Sequence, residues 1–561
     1  MSMLRMKRGV NAALDRVTGY RLVRGPRRTG ATDAQVRGCL IEAFDTSKVS
    51  GWVAMAANAD PVQVALVVNE QEVTATWATK PMARNGWGEV RSFEFTLRDI
   101  WTYCKKRDKL SVRVAGKTLP ITGHGMYIAP PHNGQENLAA LRAKLAAGHV
   151  FGPTGRLKLS KRLDTEWQAK VMHLYGQVRE LVRETLGYDV FLAYGSLLGA
   201  VREGGVIGHD SDFDSAYVSR YADARAAAEL QELAFMLVER GFDIDGMRTS
   251  LHIHDVTDRA ARIDLFHLYF DESATLQFPF GVAGTTEISA SDWQGTKEID
   301  FCGARALVPV NADQFVEHIY GAEWRTPQIG FDWKRDRTKR DMKGLLPASI
   351  GEEVYWSNFY MRNEFDSGST FFEAVDARSD TPTTVLDVGC GDGRDGLAFG
   401  KAGRTVLGLD RSVVGVRHAS RRAAEMGLHG RVRFATCDVA DADAFTEHVT
   451  HLTRDTDRPL LFYLRFLLNS LSEQAQDTLM TAICEAARAG DMFAAEFRTN
   501  DDKDLKKAFR KHYRRYQDGI TFGIALSDRF GFDVIEEVEG MGLSPYLDED
   551  PHVYRVIARR R

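Results

Sequence analysis

The sequence lacks the features that mark secreted, metal-stapled or membrane-spanning proteins. It has only six cysteines, and none of them forms a Cys-x-x-Cys pair. This argues against a disulfide framework or a structural zinc site and favours a reducing compartment. No apolar run approaches the ~18 residues of a membrane-spanning helix, and the N-terminus has no secretion-signal core. We therefore expect a cytoplasmic protein.

An excess of positive charge is also missing. The chain has 73 Lys and Arg against 77 Asp and Glu, a formal net charge of −4. Dedicated nucleic-acid binders are usually basic, so we expect no nucleic-acid partner. With 561 residues, 44% of them hydrophobic and 27% charged, the chain is too long for one core and has the composition of folded protein. A multidomain protein follows.

The N-terminal part divides into a basic arm and a strand-rich segment. Residues 1–30 hold eight Lys and Arg against one acid, and we assign 1–37 to a basic arm. Such an arm can contact anionic lipid at the inner face of the cell membrane, or it can be a solvated terminus. Residues 38–125 contain alternating runs such as Val62–Val68. These runs predict a small accessory β-sandwich that contacts glycan or a docking partner.

The middle of the chain carries a glycine turn followed by three separated carboxylates. A strand-like run enters Gly195 and Ser196, where backbone N–H groups can meet phosphate. Asp212 and Asp214 are two residues apart and so project to one face of a strand. Asp264 lies within an apolar strand, where a buried, unpaired carboxylate costs several kcal/mol. We therefore expect either a metal ion or a basic partner, such as Arg262, among these acids.

The amino-acid sequence of these segments resembles that of the LicD/fukutin family of nucleotidyltransferase-fold phosphotransferases. The similar segments are Tyr194–Arg202, His209–Asp214, Ile263–Phe266 and Tyr320–Pro327, although Ser211 stands where the family has an acid. The resemblance implies an α+β domain, which we place with its helical lead-in at 126–333. It further implies Mg²⁺ or Mn²⁺ held by the metal-binding and catalytic residues Asp212, Asp214 and Asp264. It implies that the donor phosphates are bound by Gly195, Ser196 and Arg202.

The C-terminal part repeats a strand-then-acid pattern after a glycine-rich turn. Residues 334–380 are assigned to a linker and the segment that leads into the last domain. In 381–561 a strand containing Asp387 precedes the turn, and two later strands end in acids. This series resembles the class I S-adenosylmethionine-dependent methyltransferases, which have an α/β Rossmann-like fold. It implies that the cofactor is bound by Asp387, Gly389, Gly391, Gly393, Asp410 and Asp438. NAD binding is the alternative interpretation of this turn. The sequence argues against it, because it lacks the third glycine of the dinucleotide motif.

The acceptor of the methyl group is left open by the sequence. Arg465 interrupts an apolar strand and is our candidate catalytic cation in this domain. Arg498, His512, Arg514 and Arg515 can complete an anion pocket with it or form a solvated basic face. Phosphate, amine and hydroxyl acceptors all remain open.

Together these segments predict a multifunctional bacterial enzyme of surface-polysaccharide biosynthesis. The middle domain would transfer a phospho-substituent from a nucleotide-activated, CDP-alcohol-like donor to a glycan or lipid-linked glycan. The C-terminal domain would methylate that substituent or a nearby group. Two alternatives remain: a nucleotidylyltransferase that moves a nucleoside monophosphate onto a protein or small molecule, and a scaffold in which one catalytic domain has decayed.

Overall fold

A computed structural model describes residues 36–57, 59–284, 286–327, 331, 343–362, 365, 367–453, 458–508 and 512–561. The basic arm, apart from its last two residues, and most of the charged linker lie outside this part. The chain forms two compact units, one of Met1–Asp223 with Ala261–Lys343 and one of Ala224–Ala260 with Gly344–Arg561. No helix in the described ranges has both the length and the apolar character needed to cross a membrane.

Two four-stranded antiparallel sheets begin the first unit. Alternating side chains from both sheets, such as Val53 of one and Leu66 of the other, join one hydrophobic cluster, which explains the period-2 pattern of the sequence. In spatial order the sheets are β1 (Val36–Phe44), β2 (Lys48–Met55), β6 (Glu89–Thr96) and β5 (Lys80–Met82), and β4 (Gln71–Ala78), β3 (Val62–Val68), β7 (Leu110–Val114) and β8 (Lys117–Thr118). The elements that follow are α1 (Ile100–Tyr103), α2 (Leu138–Ala146), β9 (His149–Phe151) and β10 (Leu157–Leu159).

The rest of the first unit combines a mixed sheet with helices. Its longest helix begins where the Asp164 side chain accepts a hydrogen bond from Trp167 N and ends at left-handed Gly187, as helix caps do. The helices are α3 (Thr165–Leu186), α4 (Tyr194–Leu198) with a π-helical turn at Gly199–Glu203, and α6 (Ala312–Tyr320). The strands are β11 (Phe191–Leu192), β12 (Asp214–Ser219), β15 (Arg262–Phe270), β16 (Leu276–Gln277), β17 (Thr296–Phe301) and β18 (Ala304–Pro309). Strands β12 and β15 pair in parallel, whereas β11–β12, β15–β16 and β17–β18 pair antiparallel.

The second unit is built on a seven-stranded sheet. Its spatial order is β21 (Val432–Thr436), β20 (Thr405–Asp410), β19 (Thr384–Val388), β22 (Leu460–Arg465), β23 (Met492–Arg498), β25 (Val553–Arg560) and β24 (Phe532–Gly540). The first five run parallel, and β25 is antiparallel to its neighbours. Every residue of β19 is buried, as expected of a strand covered on both faces. The predicted Rossmann-like C-terminal fold is confirmed, with the strand order reversing between β19 and β22, where such folds bind ligands.

Helices connect the five parallel strands of this sheet. They are α9 (Arg394–Lys401), α10 (Val413–Glu425), α11 (Ala442–Thr453) and α12 (Glu473–Ala486). Before β19 comes α8 (Thr370–Asp376), and between β23 and β24 comes α13 (Gly519–Asp528). The unit also contains α5 (Asp223–Glu239), the hairpin β13 (Asp243–Met247) and β14 (Ser250–His254), and α7 (Ile350–Arg362). The Asn358 side chain of α7 donates to Ile244 O at 2.6 Å, and Arg362 lies 2.8 Å from Asp243. These bonds fix α7 on the hairpin.

Candidate active sites

The first site begins with the pairing of two strands. Parallel register places Asp214 of β12 opposite Asp264 of β15. Gly195 N donates to Asp214 Oδ2 at 2.8 Å, and Asp214 N donates to Ser196 Oγ at 2.8 Å. The glycine turn therefore orients Asp214 from both its backbone and its side chain.

A fourth carboxylate joins these residues. A Cβ atom built on Gly195 would lie 2.5 Å from Asp210 Oδ2 and 3.0 Å from Asp214 Oδ2, so both acids crowd the glycine. Burial and then the charge of Asp264 raise the pKa of Asp214 well above its usual value. Burial raises the pKa of Asp210 to about 6. We missed Asp210 in the sequence, although it stands two residues before Asp212 in a run of alternating acids.

We call Asp210, Asp212, Asp214 and Asp264 the acid cluster. The guanidinium of Arg262 lies 3.0 Å from Asp212 Oδ1 and 3.2 Å from Asp264 Oδ1. Asp212 is about half exposed and turns toward this arginine. One arginine bridges only two of the four acids, and the pKa of Asp214 remains raised beside them. Four carboxylates are the hard oxygen ligands that Mg²⁺ and Mn²⁺ prefer, so the residues present fit a divalent cation.

The predicted phosphate-binding residues have other partners here. The Gly195 N–H donates to Asp214 in this arrangement, and binding of phosphate by this turn remains a prediction. Ser196 likewise accepts from Asp214 N rather than standing free. Arg202 donates to Trp324 O at 3.1 Å and lies 2.9 Å from Glu203. Arg202 therefore already has partners in this arrangement, and its role toward a donor remains a prediction.

The second site surrounds the glycine loop after β19. Gly389, Gly391 and Gly393 all have positive φ, of 75°, 56° and 77°, a conformation that favours glycine. Asp410 at the end of β20 accepts from Gly391 N at 2.9 Å and from Ser412 N at 2.8 Å. The loop and this acid therefore hold each other in place.

A cavity of about 360 Å³ opens beside the loop, which is within the range of small-molecule sites. Of the predicted cofactor-binding residues, Gly389, Gly391, Asp410 and Asp438 line this cavity. Asp387 and Gly393 lie outside the lining. Asp387 is buried, its pKa is raised mainly by that burial, and its Oδ2 lies against Gly396. A Cβ on Gly393 would lie 2.7 Å from Ala419 and Phe434, so this glycine lets the loop pack closely on its neighbours. The cofactor-binding roles of Asp387 and Gly393 remain predictions.

Helix α7 supplies aromatic side chains that the sequence did not single out. Trp356, Phe359 and Tyr360 line the cavity. The rings of Trp356 and Tyr360 stack with centroids 5.8 Å apart. Tyr360 covers the loop so closely that a Cβ on Gly391 would lie 2.6 Å from its ring. A flat apolar wall of this kind can receive an adenine ring or a sugar face.

Arg465 lines the cavity but is tied to a buried acid. Its Nε lies 2.6 Å from Asp395 Oδ2, and the hydroxyls of Ser369 and Tyr463 also donate to that oxygen, each at 2.8 Å. Burial acts to raise the pKa of Asp395, yet Arg465 and these hydrogen bonds leave it below its usual value. The arginine is therefore fixed in position and permanently charged.

Of the remaining predicted anion-binding residues, three line the cavity and one does not. Arg498, His512 and Arg514 line the cavity. Burial, then the charges of Arg514 and Arg498, lower the pKa of His512 to about 3, so this histidine is neutral. Arg515 is a correction: it lies outside the lining, and its Nε donates to Leu471 O at 3.1 Å. Its guanidinium therefore donates to a main-chain carbonyl instead of facing the cavity.

Two family models match parts of the chain. Residues 187–311 match the LicD/FKTN/FKRP nucleotidyltransferase domain, and residues 385–454 match a methyltransferase domain. The predicted resemblances to both families are thereby confirmed.

Several of the solved structures similar to part of the chain are methyltransferases. TehB from Haemophilus influenzae is 16% identical, with 38% of this chain and 68% of that chain covered at a TM-score of 0.28. The glycopeptide N-methyltransferase MtfA is 17% identical over 35% and 97% of the two chains, at 0.27. A methyltransferase dependent on S-adenosylmethionine from Anabaena variabilis is 14% identical over 38% and 96%, at 0.31.

Proposed function

Because the chain is an enzyme that joins a LicD-type transferase domain to an S-adenosylmethionine-dependent methyltransferase domain, we propose that it modifies a bacterial surface polysaccharide in two steps. The first transfers a phospho-substituent from a nucleotide-activated, CDP-alcohol-like donor to a glycan or lipid-linked glycan hydroxyl. The second methylates that substituent or a nearby group. Both steps would take place in the cytoplasm, where such donors are made.

The acid cluster supports the first step. A divalent ion bound there would lower the pKa of the acceptor hydroxyl and balance the charge of the leaving phosphate. Asp214 would be the central ligand, because the Gly195 N–H and the Ser196 hydroxyl orient it. Asp264 faces it across the strand pair, and Asp210 adds a further carboxylate. Arg262 would release Asp212 and Asp264 toward the ion when the ion arrives.

The cavity beside the glycine loop supports the second step. Methyl transfer is a direct displacement, so the protein mainly aligns the two reactants. The loop and Asp410 would hold the cofactor, with Asp438 at the ring end and Trp356 and Tyr360 forming the wall. S-adenosylmethionine supplies the activated methyl group. Arg465, fixed by Asp395, is our candidate for orienting the acceptor.

Placing both domains on one chain favours consecutive steps. A tethered second site meets the first product at an effective concentration of about a millimolar for a short flexible link. A nucleotidylyltransferase would use the same acid cluster but release pyrophosphate instead of a nucleoside monophosphate, so the released product separates the two.

The observation that carries the proposal is the pairing of Asp214 with Asp264 beside the glycine turn. Mass spectrometry of surface glycan tests it in cells that carry single-domain variants. We expect Asp212→Asn/Asp214→Asn to remove the whole phospho-substituent and Gly391→Arg to remove one methyl group of 14 Da. Asp477→Asn, a surface change, is the control. Unchanged glycan in both active-site variants would overturn the proposal.

A further inference from the structure

The charges of the methyltransferase cavity are separated along the sheet. Acids lie at the side of β19, β20 and β21, where Asp392, Asp410 and Asp438 line the cavity. Arginines lie at the carboxyl ends of the next two strands, with Arg465 ending β22 and Arg498 ending β23. We call the second region the arginine end. A cofactor on the glycine loop faces the acidic side, so the arginine end is left for the acceptor.

The lining of the arginine end contains more cations than carboxylates. Among the described residues that line the cavity at this end, four are arginines and one is an acid: Arg394, Arg465, Arg498 and Arg514 against Glu549. Some of these arginines have acidic partners. Arg465 lies 2.6 Å from Asp395, and Arg498 lies 2.8 Å from Asp502 and 2.5 Å from Glu549.

The cofactor would not cancel this surplus. S-adenosylmethionine carries a sulfonium cation, and its amino-acid part is a zwitterion, so it brings net positive charge into the cavity. Burial, and then the charge of Arg465, lower the pKa of Arg394. A counter-ion stabilises like charges that line one half-buried site. Guanidinium groups bind phosphate in a bidentate geometry.

We infer that the methyl acceptor is a phosphate-bearing molecule that the arginine end binds through its phosphate. The inference rests on the proposed function and deepens it, because phospho-transfer by the first domain creates such a group. Phospho-transfer then precedes methylation, and the unsubstituted glycan is not a methyl acceptor. Two aromatic residues, Phe365 and Tyr546, also line the cavity, and their ring centroids lie 5.5 Å apart. They offer a surface for the attached sugar.

Arg514→Gln is the variant of the arginine end that best tests the inference without threatening the fold. Replacing Arg498 would leave Asp502 and Glu549 buried with fewer cations, and replacing Arg465 would strand Asp395, so both changes threaten folding. Arg514→Lys keeps the charge and serves as the conservative variant. Arg529→Gln removes an exposed arginine that pairs with Asp477 on the surface and is the matched control.

The probes are glucose 1-phosphate, glucuronate and glucose, titrated by ligand-observed NMR into the full chain saturated with S-adenosylhomocysteine. We expect binding in the order phosphate, carboxylate, uncharged sugar, and weaker binding of glucose 1-phosphate at higher salt. Arg514→Gln should weaken the binding of glucose 1-phosphate at least tenfold. Arg514→Lys should lose less affinity than Arg514→Gln, and Arg529→Gln should bind as the wild type does. Equal binding of glucose, tighter binding of glucuronate, or wild-type affinity in Arg514→Gln would overturn the inference.

The outcome is separable from that of the proposed function. Asp212→Asn/Asp214→Asn should leave the affinity for glucose 1-phosphate unchanged, because these residues belong to the other site. If the glycan of cells with that variant keeps its phospho-substituent while the NMR result stands, the proposed first reaction fails alone. If the NMR result fails while the substituent is lost, only the acceptor assignment fails.

Discussion

Gly391→Ala should abolish most of the affinity for the cofactor, because it introduces both backbone strain and a steric clash. Gly391 has a φ of 56°, and a non-glycine residue in the left-handed region costs roughly 1–2 kcal/mol. Its Cβ would also lie 2.6 Å from the Tyr360 ring, and overpacking of this kind costs about 1–3 kcal/mol. If the loop escapes the strain by leaving its binding conformation, affinity falls by roughly 30-fold or more, since 1.4 kcal/mol is about a factor of ten.

Gly427→Ala is the matched control for backbone strain. Gly427 has a φ of 67°, but a Cβ there would meet nothing within 4 Å. It should lower stability by about 1 kcal/mol and leave binding of S-adenosylhomocysteine, measured by calorimetry, unchanged. The Tyr360→Ala background removes the clash but not the strain. Because Tyr360 also belongs to the cavity wall, the comparison is with Tyr360→Ala alone, and Gly391→Ala should cost a smaller factor in affinity there than in the wild type. Gly391→Ala binding within twofold of the wild type would refute the assigned role of the loop.

Three further results follow from the same contacts. Asp395→Asn should cost about 3–5 kcal/mol in urea unfolding because it leaves the Arg465 charge buried, whereas the exposed Asp477→Asn should cost at most about 1; equal costs would contradict the buried network. The pKa of His512 is held at about 3, below its unfolded value of about 6.5, so the stability it contributes is full above about pH 6.5 and is lost as pH falls toward 3. His512→Gln should therefore flatten the stability profile over that window by a few kcal/mol, and an unchanged profile would refute the shift. Asp210→Asn should weaken Mg²⁺ binding in calorimetry by at least tenfold, as Asp212→Asn should; wild-type affinity in Asp210→Asn would remove it from the acid cluster.

Much of the architecture could be read from local sequence patterns. The strand-glycine-turn-helix series around Gly389–Gly393 and the acids at the ends of the next strands are local, so they predicted the Rossmann-like domain and four of the cavity-lining residues. The sequence did not show that Asp387 and Gly393 lie outside the cavity lining, because a motif does not reveal which of its side chains point below the loop.

Contacts between distant segments could not be predicted in the same way. Arg465 and Asp395 are 70 residues apart, and Tyr360 reaches the glycine loop from a helix that carries no motif. Whether Gly195 N–H is open or bonded depends on how closely Asp214 approaches it. The pairing of β11 with β12, continued by a 3.0 Å hydrogen bond from Ala193 N to Asp214 O, sets that distance. The fourth acid, Asp210, was visible in the sequence, but its burial was not.

Binding of Mn²⁺ by the full chain, followed by electron paramagnetic resonance, tests the central claim most directly. In the described ranges, the three potential metal ligands whose atoms lie within 4.8 Å of one another are Asp501, Glu539 and His552, which lie outside the acid cluster, so Asp501→Asn is the control. The account predicts that Asp214→Asn loses the tightest bound Mn²⁺ and that Asp501→Asn keeps it. Wild-type protein that binds no Mn²⁺, or an Asp214→Asn variant with full binding, would contradict the metal-dependent transfer assigned to the acid cluster.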